Sequence, residues 1–97
     1  MRLAKFTKQP SERKRYVVNY SDWLDTSETL LDVAFVVEPT TASPLVVDAS
    51  ALSTDSKAVS MFVNGGLNAT TYTITLTATT SGGQVKEDEV VFTIRQI

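Results

Sequence analysis

The stretch from Thr70 to Thr80, TTYTITLTATT, constrains the fold more than any other part of this sequence. Because successive side chains of a β-strand point to opposite faces, strict alternation predicts a strand with one apolar face and one threonine face. β-branched side chains also lose rotamer freedom in a helix, which favours the same assignment. The predicted apolar face consists of Tyr72, Ile74, Leu76 and Ala78.

Glycine pairs on both sides of this strand predict turns. One pair lies in NGGLN, before the strand, and the other lies in SGG at residues 81–83. Glycine and asparagine accept positive φ, and a short glycine-rich connection between two alternating runs is typical of a hairpin. The segment after SGG is therefore predicted to return beside the threonine strand, with its own apolar residues inward: Val90, Phe92 and Ile94.

The rest of the chain also favours strands. It carries 14 threonines and 12 valines among 97 residues, and it contains no convincing amphipathic helix. We predict an all-β fold, an immunoglobulin-like antiparallel β-sandwich of six to seven strands, with a small barrel as the alternative. The segment at residues 29–38 is apolar on both faces, which predicts a strand in the middle of its sheet. The predicted core includes Trp23, Phe35, Tyr72, Leu76 and Phe92.

The N-terminal segment differs from the rest in pattern and in charge. Residues 1–12 show no strand or helix period and contain Pro10, so we expect an extended arm, followed by a single sandwich domain over residues 13–97. Residues 1–15 carry six basic residues and one acidic residue, a net charge of +5, whereas residues 16–97 carry a net charge of −7.

This charge asymmetry has two readings. The basic segment of one copy could bind the acidic body of another, or it could be a solvated tail that keeps the protein soluble. Under the first reading, the residues of the arm that contact a partner are Arg2, Lys5, Phe6, Lys8, Arg13, Lys14 and Arg15. A role in binding nucleic acid is disfavoured, because one aromatic among these cations and an acidic body behind them are weak evidence for it.

The residue types that are missing argue against most catalytic chemistry. The chain has no cysteine and no histidine, so it lacks disulfides, Cys/His zinc sites and the commonest general base. A calcium loop built on Asp22, Asp25 and Glu28 is the weaker alternative to a solvated loop, because the spacing lacks the glycine of an EF-hand. We predict no catalytic residue, metal, cofactor or small-molecule substrate. No apolar run is long enough to span a membrane.

The threonine face leaves two interpretations open. It suits a solvated sheet surface, and it equally suits a flat contact with a neighbouring subunit. The alternative function for the whole chain is a free-standing binding module that recognises a surface glycan or peptide through its loops. The aromatic residues occupy mostly core-facing positions, and only Phe6 and Tyr20 look free, which counts against a glycan site.

Three segments together resemble the small fiber-tail adaptor proteins of tailed bacteriophages: KQPSERKRYVVNYSDWL, NGGLNATTYTITLTATTSGGQ and EVVFTIRQI. The family's pattern begins with a lysine and a proline ahead of an acidic residue, and it continues with a tyrosine, an Asp-Trp-Leu step and a Glu-Thr/Ser-Leu/Ile step. A double-glycine loop then leads into a Tyr-x-Val/Ile-Thr strand, and a Thr-x-x-Gly turn precedes the last strand. The matching residues here are Lys8, Pro10, Glu12, Tyr16, Asp22-Trp23-Leu24, Glu28-Thr29-Leu30, Gly65-Gly66, Tyr72–Thr75 and Thr80–Gly83.

The resemblance implies a non-catalytic structural protein of the virion. Such a protein has a sandwich fold, assembles in the bacterial cytoplasm, and is present in several copies in the neck or tail region, where it bridges the tail or portal assembly to fibers. Its partners are other tail, neck, portal or fiber proteins, and a homo-oligomeric ring is expected. If the arm reaches across to a neighbour, deleting residues 2–12 leaves the melting temperature nearly unchanged and abolishes incorporation into particles.

Overall fold

The computed structural model describes residues 2–96, and these residues form seven β-strands. No helix in this range is long and apolar enough to cross a membrane. The all-β prediction is confirmed, because every regular element of the described residues is a strand. The strands are β1 (Arg2–Lys8), β2 (Arg13–Asn19), β3 (Leu30–Glu38), β4 (Leu45–Leu52), β5 (Ala58–Gly65), β6 (Thr70–Thr80) and β7 (Val85–Ile94).

The strands form two sheets that pack as a sandwich. The larger sheet has the order β1-β7-β6-β3, and the smaller sheet has the order β2-β5-β4. Every pairing is antiparallel except that of β1 with β7, which is parallel. The body is elongated, with extents of 43 × 21 × 18 Å.

The threonine strand is β6, and it lies in the interior of the larger sheet. Its four alternating apolar residues are fully buried, as the sequence predicts, and Thr71, Thr73, Thr75, Thr77 and Thr79 point to the outer face, whereas Thr80 is buried. The SGG turn closes a hairpin in which β6 and β7 pair from Thr70 opposite Ile94 to Thr79 opposite Val85. The inward residues of β7, which include Phe92, complete the core between the sheets.

The structure corrects the expectation that the N-terminal segment lies outside the sandwich. Residues 2–8 are extended, but they form β1 and pair with β7. Ala4 lies in register with Val90 and Phe6 with Phe92, so alternate residues of β1 do face the core. The alternation is hard to see in the sequence because a register shift between Arg2 and Ala4 interrupts it.

The prediction that residues 29–38 form a central strand is wrong. This segment is β3, and it lies at the edge of the larger sheet, paired only with β6 among the described strands. A register shift between Leu30 and Asp32 turns Leu31 outward, where 61% of it is exposed. Val36, on the outer face of the same strand, is 53% exposed. A strand that is apolar on both faces is therefore left with one face uncovered.

Candidate assembly surfaces

One side of the sandwich is basic. It is formed by the edge strands β1 and β2, which the turn at residues 9–12 connects. The two strands approach each other closely, since the rings of Phe6 and Tyr16 lie 4.7 Å apart. An apolar groove of about 280 Å³ opens between them. The exposed cations of the two strands are Arg2, Lys5, Arg13, Lys14 and Arg15.

Two of the residues predicted to contact a partner face inward instead. Phe6 packs against the rings of Tyr16 and Phe92, with a centroid distance of 5.4 Å to the latter. Lys8 is 1% exposed, and its Nζ donates hydrogen bonds to the carbonyl oxygens of Gln9 at 2.7 Å and Gly65 at 2.6 Å. Burial lowers the pKa of the Lys8 ammonium. These side chains hold the domain together and do not extend from it.

Two further cations of the predicted arm are bound within the same chain. Arg13 lies 4.0 Å above the ring of Phe62 and donates to Asp48 Oδ1 at 2.6 Å, while Lys14 Nζ lies 3.4 Å from Glu12 Oε2. Within residues 2–96, no ion pair involves the three remaining cations on this side. Those available to a partner are therefore Arg2, Lys5 and Arg15.

The opposite side of the sandwich is acidic. It is formed by β3 and β4, the other edge strands of the two sheets, and these strands carry no lysine or arginine. Asp32 and Glu38 lie exposed on β3, and Asp48 lies half-buried on β4. Because Asp48 is bound by Arg13, the exposed acids of this side belong to β3. The domain therefore carries opposite charge on its two opposite sides.

The outer face of the larger sheet connects these two sides. Lys5 of β1 lies in register with Val91 of β7, Val91 with Thr73 of β6, and Thr73 with Glu38 of β3. One row across the sheet therefore begins with a cation and ends with an anion. The outward threonines of β6 at positions 73, 75, 77 and 79 are half-buried, and Thr71 is exposed.

Glu28, the acid of the Glu-Thr-Leu step, connects the loop before β3 to the β6–β7 turn. Its carboxylate accepts hydrogen bonds from Thr80 Oγ1 at 2.5 Å and from Gln84 Nε2 at 3.2 Å. Asp25 N–H also donates to it, at 3.3 Å. A side chain at Gly82 would collide with the same carboxylate, because a Cβ there would lie 2.5 Å from Glu28 Oε2. Two motifs that are distant in the sequence thus form one contact.

We expect a Glu28→Gln variant to melt at a lower temperature than the wild type at pH 7. The hydrogen bond from Thr80, above all other contacts, lowers the pKa of Glu28. Its ionised form therefore stabilises the fold above the ordinary carboxyl pKa, and this stabilisation is lost as the pH falls through the lowered value. The difference in melting temperature should shrink between pH 7 and pH 3, measured by circular dichroism.

Asp22→Asn is the matched control for this variant, since Asp22 is an exposed acid in the same loop. The melting temperature of this control should equal that of the wild type throughout the pH range. A difference between Glu28→Gln and the wild type that stays constant over the whole range would contradict the assignment of charge to Glu28.

The Asp-Trp-Leu step packs against a second buried group of polar residues. Leu24 is buried, and Lys86 Nζ lies 5.5 Å from the ring centroid of Trp23 and 2.9 Å from Asp88 Oδ1. Tyr20 is 3% exposed, and burial together with the nearby Asp88 raises its pKa to about 12. The tyrosine therefore stays neutral and contributes an apolar ring to the core.

Tyr72 of the threonine strand fixes the loops at one end of the sandwich. Its hydroxyl accepts a hydrogen bond from Leu67 N–H at 2.9 Å and lies 2.7 Å from Thr41 Oγ1. Nearby, Gly65 adopts a φ of +80°, and a Cβ at this position would lie 2.6 Å from the Pro44 carbonyl oxygen. The double-glycine loop can therefore be formed only by residues without a side chain.

The other predicted motif and core residues also have defined places. Leu76 and Phe92 are fully buried, whereas Tyr16, Trp23 and Phe35 are partly buried against the core. All eight aromatic side chains are at least half-buried, including Phe6 and Tyr20, which looked free in the sequence. The described residues therefore present no exposed aromatic platform of the kind that stacks against sugars.

The acidic loop before β3 does not assemble into a metal site. Asp22 is exposed, and no group of three or more acidic side chains within residues 2–96 is placed to hold a metal ion. Glu28 instead uses its carboxylate for the hydrogen bonds described above.

Comparison with known proteins identifies the family of the chain. No curated protein matches the chain. A family model described as podophage GP4 fiber-tail adaptor protein gp77 matches residues 8–93. The match begins at the buried Lys8 and ends within β7, so it includes the Lys8–Gly65 and Glu28–Thr80 contacts. The chain belongs to the podophage GP4 fiber-tail adaptor family and is a structural protein of the phage tail that interacts with other tail and fiber proteins.

Proposed function

We propose that this adaptor works in several copies in the neck region of the virion, where it bridges the tail or portal assembly to the fibers. The observation that carries this proposal is the opposite charge on the two sides of the domain. The β1–β2 side is basic and the β3–β4 side is acidic, so repeated copies can contact each other head to tail. Contacts of this kind form closed rings when the rotation between copies divides a full turn.

The build of the domain suits a spacer between larger assemblies. The core of the sandwich is continuous, and Lys8, Glu28 and Tyr72 fix its turns and loops by hydrogen bonds. A body 43 Å long with fixed loops would hold structures bound at its two ends at a fixed separation. The neck assembly and the fibers would then bind at separate surfaces of one rigid unit.

The same features support a role without catalysis. The chain has no histidine or cysteine, and its buried carboxylate Glu28 is engaged in structural hydrogen bonds. A chain without disulfides can fold and assemble in the reducing cytoplasm of the bacterial host. The exposed cations Arg2, Lys5 and Arg15 would speed the encounter with an acidic neighbour, and added salt would weaken that attraction.

The bridging role is tested by assembling particles without this protein. We expect particles that lack fibers, as seen by electron microscopy, because the connection between tail and fiber is missing. Addition of the purified protein should restore the fibers. Light scattering at low and high salt should show a multimer that dissociates as salt is added. Particles that carry a normal set of fibers in the absence of the protein would rule out the bridging role.

A further inference from the structure

We propose that the β3 edge of one copy pairs with the β1 edge of the next copy, so that the larger sheets of neighbouring subunits form one continuous sheet. This inference rests on the proposal that the adaptor acts in several copies. It assigns the surface and the residues through which the copies meet, and the partner is a second copy of this chain.

Both strands have an edge that the described part of the domain leaves open. In the sheet order β1-β7-β6-β3, β1 and β3 are the outermost strands, and each pairs with one neighbour. An edge strand presents a row of backbone N–H and C=O groups that can pair with another chain. Addition of a strand at such an edge is a general mode of protein recognition.

The directions of the two edges match. β1 is parallel to β7, β7 is antiparallel to β6, and β6 is antiparallel to β3. It follows that β1 and β3 run in the same direction. Two copies placed side by side without inversion therefore bring β3 against β1 in a parallel pairing. Each copy offers one edge of each kind, so the contact repeats from copy to copy.

The charges of the two edges are complementary in the same register. Lys5 and Glu38 stand at the two ends of one row across the outer face of the sheet. When neighbouring sheets join without a stagger, Glu38 of one copy lies beside Lys5 of the next. Neither side chain forms an ion pair within residues 2–96 of its own copy. Opposite charges placed directly across a strand pair are stabilising.

The composition of β3 provides an independent argument. Its two-faced apolar pattern is typical of a strand with neighbours on both sides, yet in the isolated domain it is an edge. Val36 is 53% exposed, and in the unstaggered register it would lie beside Arg2 of the neighbouring copy, which would reduce this exposure. A β1 strand added beside β3 would give the C-terminal end of this segment, Val36–Glu38, the central position that its sequence indicates.

The smaller sheet is less suited to the same contact. Its β4 edge is interrupted in the middle of the strand, where the register shifts between Asp48 and Ala51 and Ala49 adopts a φ of +50°. Bulges of this kind prevent edge-to-edge pairing. By contrast, β3 keeps an unbroken register from Asp32 to Glu38, and β1 keeps one from Ala4 to Lys8.

Cysteine cross-linking in assembled particles tests the contact directly, because the chain has no cysteine of its own. A Lys5→Cys, Glu38→Cys double variant should give, on oxidation with diamide, a ladder of bands at multiples of 10.6 kDa. The two positions lie three strand spacings apart in one copy, about 14 Å. A disulfide requires Cα atoms within about 7 Å, so each bond must join two copies.

The two single-cysteine variants are the matched controls. Each should remain monomeric after oxidation, since Lys5 meets Glu38 and not a second Lys5. A dimer formed by either single variant would indicate a face-to-face contact and would overturn the proposal. Incorporation of the double variant without a ladder, both for this pair and for Lys5→Cys with Val36→Cys, would overturn it as well.

A charge exchange gives a second readout that does not depend on oxidation. Lys5→Glu and Glu38→Lys should each lower the number of copies per particle by about fivefold, and the double variant should restore it. No restoration in the double variant would overturn the β3–β1 contact. That result leaves the bridging role intact if the wild-type protein still supplies fibers, so failure of the inference is distinct from failure of the proposed function.

Discussion

A variant that lacks residues 2–8 is expected to melt at least about 10 °C below the full chain, or to fail to fold. The deleted strand pairs with β7 along its length and covers Phe92 with Phe6. Exposing the buried part of Phe6 alone costs about 1–2 kcal/mol, and the β1–β7 hydrogen bonds add to this loss. In a domain of this size, each 1 kcal/mol lowers the melting temperature by about 4–8 °C. Thermal unfolding followed by circular dichroism measures the effect.

The matched control keeps β1 and removes only its exposed charge. An Arg2→Gln, Lys5→Gln variant should melt within about 2 °C of the wild type, because substitutions of exposed side chains cost little. It should nevertheless enter particles poorly if these cations steer assembly. An unchanged melting temperature in the truncated chain would contradict this expectation and support an arm that lies outside the folded domain.

The substitution Phe92→Ala is expected to lower the free energy of unfolding by about 3–5 kcal/mol. Phe92 is fully buried, and its ring lies 5.4 Å from that of Phe6 and 5.0 Å from that of Tyr16. These three rings join β7, β1 and β2, so the cavity left by alanine opens where both sheets meet on the basic side. Domains of this kind have a total stability of about 5–15 kcal/mol, so the loss is large. Urea denaturation measures it.

Thr93→Ala is the control for Phe92→Ala, because Thr93 is the next residue of β7 and points to the outer face of the sheet. It should lower the free energy of unfolding by less than about 1 kcal/mol. Equal losses for the two variants would show that the aromatic contacts do not hold the sheets together at this position.

The strands that alternate without interruption could be predicted from the sequence. β6 has the two predicted faces, and the apolar residues of β7 point inward as predicted. The glycine turn between the two strands closes the predicted hairpin. Their inward faces are buried from Tyr72 to Thr80 in β6 and from Asp88 to Ile94 in β7. Local sequence and tertiary packing therefore require the same pattern, and the prediction succeeds.

The two edges of the larger sheet could not be predicted in the same way. In β1, a register shift after Arg2 interrupts the alternation, and the high charge of the segment suggests a solvated arm. In β3, the pattern correctly indicates a strand but gives the wrong position in the sheet. Periodicity reports which faces of a strand are apolar, and it does not identify the neighbour that covers them.

The contacts between distant motifs were also beyond sequence reasoning. Lys8 and Gly65 are 57 residues apart, and Glu28 and Thr80 are 52 residues apart. Each of these residues belongs to a motif of the family resemblance, but the resemblance does not say that the motifs meet in pairs. The pairing follows from the strand order, which brings the end of β1 to the β5–β6 turn and the loop before β3 to the β6–β7 turn.

The parallel pairing of the first strand with the last has a consequence for synthesis on the ribosome. Among the strands of residues 2–96, β1 is made first and its partner β7 is made last. The larger sheet therefore cannot be completed until β7 has been translated. Before that point, β1 has no strand of its own domain to pair with. A chain that terminates before β7 never positions β1, so it lacks one of the two edges that a growing assembly would use. The topology thereby restricts assembly to chains whose translation has passed β7.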